Sequence, residues 1–169
     1  LFKEHVEANK ESIQKRADEE REKMKEKIEN YKPKELTINL PTSSKEKVFY
    51  PLIDYELKDD IVDSYGKVLY PKGFVFNPLH YISLNEKYIF IDYTDKKQRD
   101  WIKKQEINKD ITAKIIITNG RVFDAIKEFE REVFYANDIL IDKFKLEAVP
   151  SIVEQEQDRI KVKQFKLKD

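Results

Sequence analysis

The residues with the clearest chemical potential are two aspartates and a histidine. Asp92 ends an apolar run, Asp95 follows shortly after it, and His80 comes just after an Asn-Pro-Leu corner. Carboxylates with a histidine could form an acid–base or metal site. The spacing favours another interpretation, in which Asp92 ends a strand, Asp95 caps a helix and His80 is an exposed turn histidine.

The absence of cysteine limits this chemistry further. The 169 residues contain no cysteine, which excludes a disulfide, a thiol nucleophile and a thiolate metal site. No phosphate-binding loop, nucleophile elbow, haem motif or zinc spacing is found in the sequence. We therefore predict a protein that is not an enzyme and that holds no cofactor or metal.

Charge and hydropathy exclude other classes. The 33 basic residues balance 33 acidic ones, so no net positive charge favours nucleic-acid binding. No apolar run approaches the roughly 20 residues of a membrane-spanning helix. Residues 161–168 alternate basic and apolar side chains, which predicts an edge strand with a solvated face. The first residue is leucine rather than methionine, and we expect a fragment or a processed form.

The N-terminal half divides into three predicted segments. Residues 1–33 form a charged helix with a thin apolar stripe, either a solvated lead-in or an arm that docks on a partner. Residues 34–47 are a linker in which Leu36, Ile38 and Leu40 alternate and could form a short strand. Residues 48–87 form a small β section that ends near the Asn77-Pro78-Leu79 corner.

Residues 88–169 have the pattern of an α/β domain. A strand ends at Asp92, and a helix capped by Asp95 turns Trp101 toward the core. Further strands and helices follow, and two strands around residues 155–158 close the chain. Strands that alternate with helices and end in an antiparallel hairpin predict a three-layer α/β domain.

The closing stretch from Asp142 to Ile160 resembles the end of a thioredoxin-like domain. In that family a helix runs into Val-Pro and two final strands, and the proline is cis. The resemblance implies a cis peptide bond at Pro150, facing the turn 92–98 where such proteins carry their cysteines. Because that turn has no thiol, a thioredoxin-like domain here would be a binding scaffold without redox activity.

A narrower resemblance is to the TraW family of conjugative type IV secretion systems. That family has a spaced Gly-Val-Gly pattern, an Asn-Pro-Leu corner, a Phe-Ile-Asp strand end, a spaced Asp, Gln and Trp, and a closing Val-Pro. The matching residues are Gly66, Val68, Gly73, Asn77, Pro78, Leu79, Phe90, Ile91, Asp92, Asp95, Gln98, Trp101, Val149 and Pro150. The match covers roughly residues 50–165. Tyr93 departs from it, because the family usually has glycine there, and a turn that needs positive φ would have to differ or be strained.

This resemblance implies a periplasmic, exported assembly factor that supports pilus assembly through protein contacts, including contacts with a TrbC-like protein. The thioredoxin-like resemblance implies where polypeptides would bind, and the candidate partner-binding residues are Asp92, Tyr93, Asp95, Gln98, Val149 and Pro150. The Asn77-Pro78-Leu79 corner and Trp101 are expected to be structural. Two other hypotheses remain: a thioredoxin-like chaperone without redox activity that binds extended polypeptides, and an enzyme that uses Asp92, Asp95 and His80.

Overall fold

The computed structural model describes residues 2–31, 37–105 and 107–167. It divides into two compact units, residues 1–33 and residues 34–169. The first contains helix α1 (Phe2–Glu29), on which Ile13, Met24 and Ile28 are exposed. Pro33, predicted to end this helix, and Leu36 lie outside the described residues. No helix within the described ranges is long and apolar enough to cross a membrane.

The second unit contains ten strands and three α-helices in its described part. In chain order these are β1 (Lys47–Phe49), β2 (Tyr55–Glu56), β3 (Ile61–Val62), β4 (Val68–Tyr70), β5 (Val75–Phe76), β6 (Lys87–Asp92), α2 (Lys96–Lys104), β7 (Ala113–Asn119), α3 (Val122–Phe129), β8 (Val133–Tyr135), α4 (Asp138–Lys143), β9 (Ser151–Glu156) and β10 (Arg159–Gln164). Short 3-10 turns lie at Pro78–His80 and Ile107–Lys109.

Six strands form one mixed sheet in the order β1-β10-β9-β6-β7-β8. β6, β7 and β8 are parallel, whereas β9 is antiparallel to β6 and β10 is antiparallel to β9. The strands predicted within residues 88–169 and the closing hairpin are confirmed. The predicted edge strand at residues 161–168 is wrong, because β10 pairs with β1 on one side and with β9 on the other.

Apolar side chains pack on both faces of this sheet. Ile89 and Ile91 of β6 lie on one face with Trp101 of α2 and Phe129 of α3. Phe90 lies on the opposite face with residues that include Phe144, just after α4. This alternation along β6 follows from the two-residue period of a strand. A mixed α/β fold is therefore confirmed, while the narrower thioredoxin-like assignment stays a prediction.

The small β section forms two antiparallel strand pairs. β3 and β4 form the predicted hairpin, and Asp63 accepts backbone hydrogen bonds from Tyr65 and Lys67 in its turn. Gly66 in that turn has a φ of 82°, which favours glycine. β2 pairs with β5. β1, at the start of the predicted section, is hydrogen-bonded into the main sheet.

Residues 37–43, which we call the strap, lie in the predicted linker and are hydrogen-bonded to β7 and to Val149, just before β9. The Ile38 N–H donates to the carbonyl of Thr118 over 2.8 Å. Thr42 and Val149 form an isolated parallel bridge, with Val149 N–H donating to Pro41 O over 3.0 Å and Ser43 N–H donating to Val149 O over 2.8 Å. Residues 37–40, the described part of the alternating segment, form no strand, and the strap pairs instead through the bridge at Thr42.

Candidate polypeptide-binding site

The turn between β6 and α2 holds its two carboxylates in structural roles. One Asp92 oxygen accepts hydrogen bonds from the Thr94 N–H over 2.8 Å and from the Thr94 hydroxyl over 2.6 Å. Asp95 has extended backbone dihedrals and accepts from the Lys97 N–H over 2.9 Å, so it is the N-cap of α2, as predicted. Both carboxylates thus stabilise the turn.

Gln98 joins this turn to the strap. Its side chain is fully buried, and its oxygen accepts from the Asp92 N–H over 2.9 Å. Its amide nitrogen donates to Asp95 over 3.1 Å and contacts the Thr42 hydroxyl at 3.4 Å. Gln98 therefore contacts both the turn and the strap from a fully buried position.

Tyr93 is directed toward α3. Its hydroxyl donates to Glu128 over 2.7 Å, and its ring packs edge-on against Phe129. The Arg99 guanidinium lies over the same ring and also donates to the Tyr93 carbonyl over 2.7 Å. A Cβ atom on Gly120 would come within 2.8 Å of the Tyr93 ring, so glycine at that position makes room for tyrosine here.

The backbone at Tyr93 does not need glycine. The non-glycine residues with positive φ in the described chain are Glu130, Lys145 and Gln157. The turn therefore accommodates tyrosine without a left-handed conformation, which answers the concern raised by its departure from the family pattern.

Ionisation of this cluster reflects its packing. Burial, followed by the hydrogen bond to Glu128, raises the pKa of Tyr93 to about 12. Burial alone would raise the pKa of Glu128, but hydrogen bonds from Lys103 and Tyr93 outweigh it and hold that pKa below its ordinary value. Tyr93 is therefore neutral and Glu128 ionised near neutral pH.

Val149 and Pro150 lie at the other side of the strap. Their peptide bond is cis, which confirms the prediction for Pro150. Val149 is fully buried and its N–H and carbonyl both pair with the strap. The Pro150 carbonyl accepts from Phe165, whose ring packs against Trp101 at a centroid distance of 5.0 Å. Trp101 is 8% exposed and belongs to the core, as predicted.

The structure thus brings together some of the predicted site residues and separates others. Asp92, Asp95 and Gln98 connect through Thr42 to Val149, whereas Tyr93 contacts α3. The strap residues were missed because alternation at Ile38 and Leu40 carries no signal for distant pairing. Glu128 was missed because only the fold places it beside Tyr93.

The corner at Asn77 and the histidine that follows it lie elsewhere on the unit. Asn77 accepts from the Leu79 N–H over 2.9 Å and donates to the carbonyl of Asp158 over 2.7 Å, so its role is structural, as predicted. His80 is exposed in the 3-10 turn that begins at Pro78. Among the described residues, no group of three or more His, Cys, Asp or Glu side chains is arranged to hold a metal ion.

Fold and site together define a mixed α/β protein with a cis Val149-Pro150 bond, which we call the cis-proline edge. The strap pairs in parallel with Val149 at this edge. The chain is 32% identical over 98 residues to Protein TraW of Escherichia coli strain K12. This confirms the resemblance to the TraW family over the matched residues. They make up 57% of this chain and 46% of that protein, so the match spans about half of the relative's length. No family model and no solved structure matches the chain.

Proposed function

We propose that this chain is a non-enzymatic, periplasmic assembly factor of a conjugative type IV secretion system. It acts in pilus assembly through contacts with other components of the apparatus, including a TrbC-like protein. The observation that carries this proposal is the match to TraW over 98 residues. The proposal further assigns residues 88–167 to a thioredoxin-like scaffold.

The order of the central strands supports the scaffold assignment. β7, β6, β9 and β10 are adjacent in the sheet, and the cis Val149-Pro150 bond immediately precedes β9. Contacts from Gln98 through Thr42 link the start of α2 to that bond. This is the relation between helix start and proline that the family resemblance implies.

The structural roles of the carboxylates support a binding function over catalysis. The carboxylate oxygens of Asp92 and Asp95 accept hydrogen bonds from backbone N–H groups at the turn and the start of α2. We therefore propose that the turn 92–98 and the Val149-Pro150 edge recognise polypeptide. In this proposal, partner recognition involves Asp92, Asp95 and Pro150. The turn and the edge are held in position by Tyr93, Gln98 and Val149.

A bulky charge on this surface tests the proposal. Thr94 is exposed at the turn, and Thr94→Arg is expected to weaken binding of a TrbC-like protein at least tenfold, measured by titration calorimetry. Ser64→Arg, in the exposed turn of the β3–β4 hairpin, is the matched control and should bind as the unmodified chain does. Unchanged affinity in a folded Thr94→Arg protein would contradict the site. Failure of the unmodified chain to bind would contradict the partner.

A general polypeptide-binding chaperone is the second candidate, because the strap shows that an extended segment fits this edge. The two are separated by co-precipitation from periplasmic extract. A small set of secretion components is expected for an assembly factor. Co-precipitation of a broad set of unfolded proteins would favour the chaperone, if Thr94→Arg reduced the binding of all of them to the same extent.

A further inference from the structure

The strap occupies the edge that the proposed function assigns to a partner. We propose that residues 37–43 are a resident ligand of a strand-binding site, and that an extended partner segment of the pattern apolar-x-apolar-Pro-Thr binds in their place. This inference rests on the proposed function for the location of the site and adds the class of ligand and the competition with the strap.

Backbone pairing is the first argument. The buried Val149 uses both its N–H and its carbonyl to bind the strap, through Pro41 and Ser43. Departure of the strap would leave the N–H and the carbonyl of Val149 without protein partners. An open edge would therefore bind another extended segment that supplies the same carbonyl and N–H.

Side-chain positions define which segment fits. Ile38 and Leu40 are partly buried and pack against the core cluster that contains Phe90 and Val149. Two positions further along, the Thr42 hydroxyl accepts a hydrogen bond from Gln98. Alternate residues of an extended chain lie on one face. The site therefore selects a segment with apolar side chains at the positions of Ile38 and Leu40 and a hydroxyl at the position of Thr42.

The strap has few backbone hydrogen bonds. Three backbone hydrogen bonds, from Ile38, Val149 and Ser43, connect it to the rest of the unit in the described chain. Pro41 and Thr42 are exposed, although the Thr42 hydroxyl contacts Gln98. By contrast, β9 and β10 pair over six residues each. Local opening at such an edge takes less free energy than global unfolding.

A reversible lock on the strap provides the test. Residues that face each other on neighbouring strands lie about 4.8 Å apart, within the range of a disulfide. Because the chain has no cysteine, Thr42→Cys with Val149→Cys introduces a single possible pair. The probe is a fluorescent peptide with the sequence of residues 37–45, TINLPTSSK. Fluorescence anisotropy should show at least tenfold weaker binding to the oxidised than to the reduced protein.

Controls separate the lock from other effects. Thr42→Cys alone, treated with the same oxidant and kept monomeric, should bind the peptide equally in both states. Equal binding to the oxidised and reduced double variant, or no binding to either, would overturn the inference. If the double variant does not fold, amide exchange of the unmodified chain decides. Saturating peptide should speed exchange at Ser43 while Val149 stays protected, and unchanged exchange at Ser43 would overturn the inference.

The same proteins distinguish this inference from the proposed function. A TrbC-like protein that binds neither state, while the peptide binds only the reduced one, contradicts the proposed partner and leaves the strand-binding site intact. A TrbC-like protein that binds both states equally, while Thr94→Arg abolishes its binding, contradicts strap displacement and leaves the partner surface intact.

Discussion

At the scale of single residues, Tyr93 shows how the structure accommodates a departure from the TraW pattern. Its ring fills the space beside Gly120, stacks under Arg99 and contacts Phe129, while its hydroxyl binds Glu128. The side chain thereby ties the β6–α2 turn to α3. In the proposed binding surface, the role of Tyr93 is to hold the turn in position.

Titration of Tyr93 tests this account. Its raised pKa of about 12 means that its stabilising effect is complete below the ordinary tyrosine value of about 10 and is lost as pH rises through about 12. Tyr93→Phe should cost about 1–2 kcal/mol near neutral pH through loss of the hydrogen bond. It should also remove the last-titrating phenol from the ultraviolet absorbance curve. If the ultraviolet absorbance titration at high pH were the same in a folded Tyr93→Phe protein, the phenol with the raised pKa would not be Tyr93.

At the scale of elements, the Asn77 corner connects the small β section to the main sheet. Its side chain caps the 3-10 turn at Pro78–His80 and also reaches the β9–β10 turn at Asp158. Gln155 adds a second link by accepting from the Leu84 N–H over 2.6 Å. The corner therefore holds two neighbouring parts of the unit together.

Two substitutions separate the roles of Asn77. Asn77→Ala removes both hydrogen bonds and should lower the free energy of unfolding by about 1–2 kcal/mol. Asn77→Ser keeps an N-cap acceptor but cannot reach Asp158, so it should cost about half as much. Urea denaturation of the three proteins provides the measurement. A serine variant as unstable as the alanine variant would show that the cap itself contributes nothing.

Elements were predictable where the signal was local. The short apolar runs of β6 and β7 indicate buried strands, and Asp95 is the kind of residue that caps a helix. The strap and the position of β10 were not predictable in the same way. Both depend on pairing between Thr42 and Val149, or between β1 and β10, which lie far apart in sequence and carry no turn signal. The cis bond at Pro150 was reached only through family resemblance.

At the scale of the whole molecule, the two units have different sources of stability. The two core clusters and the side chains packed against them are drawn from positions between 38 and 167 in the described chain. α1 carries charged pairs such as Lys23–Glu20 on exposed side chains, which contribute little to stability. Residues 34–169 therefore have a complete core of their own.

Removal of residues 1–33 tests this independence. Because the core clusters draw on later residues, the fragment 34–169 should unfold cooperatively with a midpoint within about 2 °C of the full chain, the shift expected for less than 1 kcal/mol in a domain of this size. By circular dichroism, the unheated fragment should have a weaker helix signal than the full chain. Its thermal unfolding transition should remain. The isolated peptide 1–33 should be only partly helical, because so few of its residues are apolar. A fragment with a much lower midpoint would mean that the N-terminal segment stabilises the α/β unit directly.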